Sequence, residues 1–266
     1  MCSGGEKEDY HSRMYGSKFL LAIAAVALSI ECGQARTVGN TFTICKTKDK
    51  NFQECFKNSA VKAHHTVLMD GVPEWGMVSL DPLVVPQLII STGDGPVGLT
   101  LQFDNASHTG MRTARTISAK ADPKNYKFDF EFKLPHYTVA GPYEANGRII
   151  LLPITGKGLS NFTYHDVDVK WHIEGKPHTN AKGKTFMEPV KFDVIIHSER
   201  ASIDMTNLFN GDKTLSGNML KFLNENQEDF LSEMEPALNH AFSKLFLALA
   251  KQLFKKLPYN EMFPDL

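Results

Sequence analysis

The clearest pattern in the chain is a strict alternation of apolar and charged residues between Tyr126 and Leu134. Every second position holds an aromatic residue or leucine, and the positions between them hold lysine, aspartate or glutamate. Successive side chains of a β-strand point to opposite faces of the sheet, so this segment predicts a strand with one apolar and one charged face. Such a strand is typical of an antiparallel sheet that buries one face and exposes the other.

Further strands are predicted along the middle of the chain. The turn residues Gly156-Lys157-Gly158 and Gly175-Lys176-Pro177 separate some of them. The longest candidate, 159–173, exceeds the usual strand length of about 5–6 residues, which favours a strongly curved, wrapped sheet over a compact sandwich. The remaining candidates are 88–91, 98–105, 113–121, 143–154, 190–198 and 202–208.

Helices are predicted at both ends of this strand region. Apolar residues lie near one face of a helix over 51–69, and over 216–257 they mostly step by three and four. The second helix would span about 60 Å at ~1.5 Å per residue, with a kink at Pro236. Its apolar stripe packs most economically against the concave apolar face of the sheet. We therefore expect an α+β fold, in which a highly curved antiparallel sheet wraps around one long C-terminal helix in an elongated molecule.

Composition places the chain among ordinary globular proteins. The 266 residues are 42% hydrophobic and 22% charged, with a formal net charge of −1. These values exclude a disordered chain, a collagen-like chain and a polytopic membrane protein. Near-neutral charge also argues against a nucleic-acid binder, because contacts to phosphates need a surplus of lysine and arginine.

The N-terminal segment has the layout of a secretory signal peptide. Residues 19–30 form an uncharged apolar run, preceded by Arg13 and Lys18 and followed by the small-residue step Gly33-Gln34-Ala35. This layout predicts cleavage after residue 35. The run is shorter than the roughly 20 apolar residues that a membrane-spanning helix needs. Translation from Met14 would give a signal peptide of common length.

Removal of the signal peptide leaves residues 36–266, which we expect to form a single secreted domain. It retains only Cys45 and Cys55. In an oxidising compartment these cysteines are expected to pair, since a metal site would lack two further ligands at suitable spacing. Asn105 and Asn161 each begin an Asn-x-Ser/Thr triplet and are candidate glycosylation acceptors.

No motif in the sequence indicates catalysis, a cofactor or a metal site. The chain contains neither a GxSxG elbow nor an HExxH pair. The segment 93–98 matches GxGxxG, but strand alternation follows it where a dinucleotide site requires a helix, so we interpret it as a hairpin turn. Asp166 and Asp168 share one face of a predicted strand, and a solvated face explains them more simply than acid–base chemistry. We predict that the protein is not an enzyme.

Five segments together resemble the secreted insect takeout family, part of the wider haemolymph juvenile-hormone-binding-protein superfamily. Their order and spacing cover nearly the whole chain after the signal peptide. They are CKTKDKNFQECF (45–56), GVPEWGMVSLDPLVVPQL (71–88), GPYEANGRIILLPITGKG (141–158), LFNGDKTLSGNMLKFLNEN (208–226) and PYNEMFP (258–264).

The resemblance implies a curved sheet around a long C-terminal helix, with an elongated internal apolar tunnel. It implies non-catalytic binding of a small hydrophobic ligand, such as a juvenile hormone, another terpenoid or a fatty molecule, and a link to circadian, feeding or courtship physiology. The N-terminal disulfide of the family maps onto Cys45 and Cys55. Dedicated juvenile hormone carriers have a second disulfide, and no cysteine follows Cys55. This departure favours the takeout branch.

The chain is therefore expected to be a monomeric extracellular carrier without stable membrane insertion. Alternation and helical spacing give nine candidates for the residues that line the ligand site. Two alternatives remain: a signalling or interaction protein with a filled core, and an extracellular hydrolase, which would need a serine–histidine pair inside a pocket. The nine lining candidates are Leu83, Val85, Tyr126, Phe128, Phe130, Phe132, Leu238, Phe242 and Leu245.

Overall fold

A computed structural model describes residue 38 and the ranges 42–65, 69–93 and 95–266. These residues belong to one compact unit, residues 36–266. The predicted signal peptide and its cleavage site lie outside the described residues.

The described part of the chain contains one antiparallel sheet of seven strands. Its longest strands, β4 and β5, contain 23 and 28 residues and pair with each other along nearly their whole length. The expected α+β fold with a large antiparallel sheet and a long C-terminal helix is confirmed. The strands are β1 (Leu83–Ser91), β2 (Val97–Thr109), β3 (Arg115–Asp122), β4 (Lys127–Ile149), β5 (Leu152–Thr179), β6 (Thr185–His197) and β7 (Arg200–Met205).

Each of the two long strands pairs with the other along one edge and with two shorter strands along the opposite edge. Along β4, residues 127–133 pair with β3 and residues 138–149 pair mainly with β2. Along β5, residues 160–165 pair with β7 and residues 168–179 pair with β6. Pro135 is tolerated inside β4 because it falls in the gap between β3 and β2, where the ladder on that edge is already interrupted.

The predicted strands 143–154 and 159–173 have wrong boundaries, because the turn that joins β4 to β5 contains no glycine, asparagine or proline. The candidate strand 143–154 contains the tip of the β4–β5 hairpin, where Ile149 pairs with Leu152 across a loop of Ile150 and Leu151. Ile150 adopts a φ of 56°, which is unusual for a β-branched residue. The sequence gives no turn signal at this position.

The glycines that were predicted to form turns lie inside β5 instead. A Cβ atom on Gly156 would come within 2.7 Å of the Tyr143 hydroxyl, and a Cβ atom on Gly158 would collide with the carbonyl oxygen of Thr206. These glycines are therefore required for close packing between neighbouring segments. Gly175 is similar, because a Cβ atom there would collide with the side chain of Met187.

The predicted N-terminal helix forms, and the predicted C-terminal helix is divided in two. The division falls at Asn226, whose backbone leaves the helical region with φ −118° and ψ 35°, and Pro236 lies within the second part. The sequence did not predict this division at Asn226, and the kink at Pro236 stays a prediction. The helices are α1 (Phe52–Ala63), α2 (Lys213–Glu225), α3 (Gln227–Phe254) and the short α4 (Tyr259–Met262).

Side-chain amides of the helices cover edges of the sheet. Gln53 of α1 donates a hydrogen bond to the carbonyl oxygen of Ala121 (2.7 Å) and accepts one from its N–H (3.0 Å). Asn224 of α2 makes the same pair of bonds with Ile203 of β7, both 2.9 Å long. Unpaired strand edges expose hydrogen-bonding groups, and these amides satisfy them in place of another strand.

The long helix α3 is held against the edge of β6 in a related way. Ser243 accepts a hydrogen bond from the N–H of Val194 (2.9 Å), and Asn239, one turn earlier, accepts one from the N–H of Ile196 (2.8 Å). These contacts fix the helix over the apolar side of the sheet, where the main core lies. Among the described residues, no helix combines the length and apolar character needed to cross a membrane.

Candidate hydrophobic ligand-binding cavity

An apolar cavity of about 190 Å³ lies between α1, the first half of β4, β5, β6 and the C-terminal half of α3. For comparison, an apolar cavity of ~150 Å³ is large enough to bind benzene. Two further cavities in the core measure only about 10 and 20 Å³. Aromatic side chains supply much of the wall of the large cavity, among them Phe56, Phe128, Phe130, Phe132, Trp171, Phe192, Phe246 and Phe254.

The alternation along β4 brings three of the expected lining residues to the large cavity. Phe128, Phe130 and Phe132 all line it, and the rings of Phe130 and Phe132 are nearly parallel, with centroids 6.1 Å apart. Leu238 and Phe242 line the cavity of about 20 Å³ instead. The structure therefore divides the helix candidates and the β4 candidates between two places in the core.

The other four candidates line none of these three cavities. Leu83 and Val85 are buried in the main core, and Leu245 is half-buried against it. Tyr126 precedes β4 with a φ of 55°, and its ring stacks on that of Tyr259 at a centroid distance of 4.5 Å. Tyr126 therefore lies outside the regular alternation, which begins with the first residue of β4.

Sequence reasoning missed the part of α3 that does line the large cavity. Phe246, Ala250 and Phe254 contribute to its wall and follow one another at steps of four residues. That spacing was the available signal, since residues four apart share one face of a helix. Ala60 and Ala63 of α1 lie on the opposite wall, and such small side chains leave space in the core.

A disulfide joins Cys45 to Cys55, as predicted, with Cα atoms 5.8 Å apart. Cys55 belongs to α1, and Cys45 belongs to the preceding segment 42–45, whose residues also line the cavity. The bond therefore ties a piece of irregular chain to the helix that forms one wall. Ser59 adds a second link, because its hydroxyl donates to the carbonyl oxygen of Thr43 at 3.0 Å.

Two histidines are buried, His64 in the wall of the large cavity and His108 against Tyr137 and Phe242, which line the cavity of about 20 Å³. Burial lowers the pKa of His64 to about 4, the neighbouring His65 lowers it further, and the backbone of Met111 opposes both effects. Burial also lowers the pKa of His108 to about 4. The Nδ1 atom of His108 lies 3.0 Å from the hydroxyl of Tyr137. Both imidazoles are therefore neutral at physiological pH.

The residues considered for catalysis lie on the outer surface of the sheet. Asp166 pairs with Arg200, and Asp168 lies 3.5 Å from Lys133, in ion pairs exposed to solvent. Across the residues that the structure describes, no group of three or more histidine, cysteine, aspartate and glutamate side chains is arranged to hold a metal ion.

A serine and a histidine do approach each other, at an exposed position. The Nε2 atom of His165 lies 3.3 Å from the hydroxyl of Ser202, and neither residue lines any of the three cavities. The hydrolase alternative required such a pair inside a pocket. The glycosylation candidates Asn105 and Asn161 are both exposed, and their use stays a prediction.

Comparison with known proteins identifies the family of this cavity-containing fold. The family model described as haemolymph juvenile hormone binding protein (JHBP) matches residues 19–264. The chain belongs to this family. Proteins of the JHBP family are carriers that bind small hydrophobic ligands.

Individual relatives agree with the JHBP assignment. The circadian clock-controlled protein daywake of Drosophila melanogaster is 25% identical over 226 residues, which cover 82% of this chain and 85% of that protein. Daywake of Drosophila yakuba is 24% identical over 200 residues, covering 73% of this chain and 77% of that protein.

A solved structure of a takeout protein has the same fold. The crystal structure of Epiphyas postvittana Takeout 1 superposes with a TM-score of 0.70 and 28% sequence identity, covering 83% of this chain and 98% of that chain. The predicted resemblance to the takeout family within the JHBP superfamily is thus confirmed.

Proposed function

We propose that this protein is a secreted, non-enzymatic carrier that holds one small hydrophobic ligand, of terpenoid or fatty character, in the cavity of about 190 Å³. The observation that carries the proposal is the cavity itself, which is lined by aromatic and aliphatic side chains and partly open to solvent, in a chain of the JHBP family. Concave apolar pockets with few polar groups are typical sites for small molecules.

The energetic basis of binding is removal of apolar ligand surface from water. Burial contributes roughly 25 cal/mol per Å², so a ligand that hides about 400 Å² gains about 10 kcal/mol before other terms. Association costs of about 4 kcal/mol or more reduce this value. Affinities in the micromolar range or tighter follow when the association costs stay near that lower bound.

Secretion and physiology form the finer part of the proposal. The Cys45–Cys55 disulfide is typical of proteins from oxidising compartments, which supports export through the predicted signal peptide into haemolymph or another extracellular fluid. The daywake relatives are named as circadian clock-controlled proteins. A circadian role for this chain is proposed by analogy with them, and a feeding role rests only on the resemblance to the takeout family.

The alternative of an interaction protein with a filled core is less well supported. It predicts an interior packed to native density throughout, and about 190 Å³ between α1 and α3 is unfilled. A carrier explains this space directly.

Filling the cavity from α3 tests the proposal. Ala250 is buried in the cavity wall, whereas Ala248 on the same helix is exposed. The experiment measures displacement of the fluorescent probe N-phenylnaphthylamine by farnesol and by methyl palmitate from the wild type, Ala250→Phe and Ala248→Phe. Circular dichroism checks that each variant is folded.

We expect Ala250→Phe to weaken binding by about tenfold or more, because its ring occupies the ligand's space, while Ala248→Phe binds as the wild type does. Equal binding by all three proteins would exclude this cavity as the site. A wild type that takes up neither the probe nor either ligand would contradict the carrier function.

A further inference from the structure

The hairpin between β4 and β5 ends in three exposed aliphatic residues, Ile150, Leu151 and Leu152, which we call the hairpin tip. Their exposed fractions are 54%, 86% and 56%, and Leu151 is the most exposed large hydrophobic residue among those that the structure describes. Their neighbours Ile149 and Ile154 are buried in the core. The core at this end is thus formed by the neighbours and does not require the side chains of the tip.

The loop chemistry of the hairpin tip has no local explanation either. A two-residue loop between paired strands normally contains asparagine or glycine, because its backbone needs a positive φ. Ile150 instead holds a φ of 56° in the loop that joins Ile149 to Leu152. A β-branched residue in this conformation is strained. An exposed and strained aliphatic residue in place of a better turn former indicates a use outside the folded core.

The hairpin tip is held in a fixed position. Ile149, at its base, pairs with Leu152 on one side and with Val97 of β2 on the other. The N–H of Ile150 donates a hydrogen bond to the carbonyl oxygen of Pro96 at 2.6 Å. The aliphatic side chains are therefore presented by a braced support, which lowers the cost of ordering them on contact with a partner.

Charges near the hairpin tip are few and of both signs. Between Ala145 and Gly156 the sequence contains one charged residue, Arg148, and no carboxylate. Transfer of a carboxylate into an apolar phase is strongly unfavourable, so its absence permits contact with lipid. Glu233 of α3 approaches the adjoining loop at Gly95. Because both signs flank the tip, contact with a membrane would depend on apolar burial and not on attraction to anionic lipids.

The size and shape of the hairpin tip favour a lipid surface over a protein partner. A stable protein interface buries about 800 Å² on each partner. Even a large aromatic side chain buries only about 150–250 Å², so three partly exposed aliphatic side chains fall short of that area. A bilayer accepts a small convex tip without a matching pocket, and binding strength there scales with the apolar area that is buried.

We propose that Ile150, Leu151 and Leu152 insert into the interfacial region of a lipid bilayer and dock the protein reversibly on membranes. Together the three side chains contain about twelve carbon atoms, and a single myristoyl chain of similar size gives only weak, reversible binding. This contact differs from stable insertion. It also goes beyond the proposed carrier function, because none of the three residues lines a cavity in the described part of the chain.

Co-sedimentation with sucrose-loaded phosphatidylcholine vesicles tests the docking. The proteins are the wild type, Leu151→Ser, the double variant Ile150→Asn/Leu151→Gly and the control Leu159→Ser. Leu159 is 60% exposed on β5 and lies outside the hairpin tip. The double variant introduces the residues that such a loop favours, so it should fold at least as well as the wild type.

We expect the wild type and Leu159→Ser to bind equally at millimolar lipid, with little effect of about 0.5 M NaCl. Leu151→Ser should bind about fivefold more weakly or less, and the double variant more weakly still. Displacement of N-phenylnaphthylamine should be the same for all four proteins, which separates docking from the carrier function. A wild type that stays in the supernatant, or equal vesicle binding by all four proteins, would overturn the docking.

A fluorescent label shows which surface meets the lipid. Cys45 and Cys55 are joined in a disulfide, so Leu151→Cys and Leu159→Cys each introduce one free thiol into residues 36–266 for the polarity-sensitive dye NBD. Vesicles should raise and blue-shift the emission of the label at the hairpin tip only. Equal responses at both positions would overturn the role of the tip. A response without vesicles that grows with protein concentration would indicate association of two copies, and would also overturn lipid docking.

Discussion

The side-chain amide of Gln53 makes with Ala121 the two hydrogen bonds that a neighbouring strand would make, at 2.7 and 3.0 Å. Because Gln53 belongs to α1 and Ala121 to the edge strand β3, this pair attaches one wall of the cavity to the sheet. Positioning of α1 therefore depends on side-chain hydrogen bonds to β3 as well as on apolar packing, since Lys57 of α1 also donates to the carbonyl oxygen of Ile117 at 2.7 Å.

Replacement of Gln53 by leucine should destabilise the protein. The backbone N–H and carbonyl oxygen of Ala121 would lose their partners, so we expect a decrease of about 1–3 kcal/mol in the free energy of unfolding. Urea denaturation measures it. Gln87→Leu is the matched control, because Gln87 is exposed and its amide contacts only the side chain of Asp104 at 3.3 Å. Equal effects of the two substitutions would contradict this role of Gln53.

Removal of the disulfide should weaken both folding and binding. The double variant Cys45→Ser/Cys55→Ser opens a loop of ten residues, and the chain-entropy model gives a loss of about 2–3 kcal/mol. Cys45 also lines the cavity, so we expect weaker ligand binding. Denaturation and probe titration measure the two effects, with the reduced wild type as a control that should behave like the variant. A variant as stable as the oxidised wild type would contradict the prediction.

Two glycine-to-alanine substitutions should have opposite effects. Gly147 in β4 has a φ of +146°, and a Cβ atom there would collide with the carbonyl oxygen of Gly98, so Gly147→Ala should lower stability by about 1–3 kcal/mol. Gly217 lies inside α2 with no atom within 4 Å of the added Cβ. Gly217→Ala should therefore raise stability by about 0.5–1 kcal/mol. Thermal unfolding compares them, and effects of the same sign would refute this explanation.

Stability should fall in mild acid because of the buried histidines. The pKa of His64 is about 4 in the folded protein against 6.5 as the ordinary value, so below pH 6.5 the unfolded chain binds a proton that folded His64 does not. Its contribution to stability is thus complete above pH 6.5 and is lost as the pH falls towards 4. His108 acts in the same direction. His172 and His197 act oppositely, because acidic partners raise their pKa values.

The variant His64→Phe isolates one of these contributions. Between about pH 7.5 and pH 4.5, its unfolding free energy should rise relative to that of the wild type by up to about 3 kcal/mol, since the variant has no histidine to protonate here. Denaturation at both pH values measures the change, and His178→Phe serves as the exposed control. A constant difference between His64→Phe and wild type would show that folded His64 titrates normally.

The sequence predicted the structure best in segments where apolar residues recur at one regular spacing. Alternation from Tyr126 to Leu134 correctly predicted an inward-facing aromatic row, and three of its members line the large cavity. The α1 helix and the Cys45–Cys55 bond were also predictable, because they depend on contacts close in sequence.

The sequence was least informative where distant segments determine the local structure. The β4–β5 turn at Ile150 is imposed by the pairing of two long strands. Gly156 allows close packing against Tyr143, although the sequence Gly156-Lys157-Gly158 resembles a turn. The adjacent pair His64-His65 gave no signal in the sequence of a place in a cavity wall. The place of His64 in that wall depends on Phe132 and Trp171, which are far from it in sequence.

Native mass spectrometry of the secreted protein, combined with organic extraction, tests the central claim most directly. The account predicts a complex with one small molecule at near-stoichiometric occupancy, and the extract should contain a terpenoid or fatty molecule. An apo mass that does not change on incubation with terpenoids, fatty esters or quinones would contradict the carrier function.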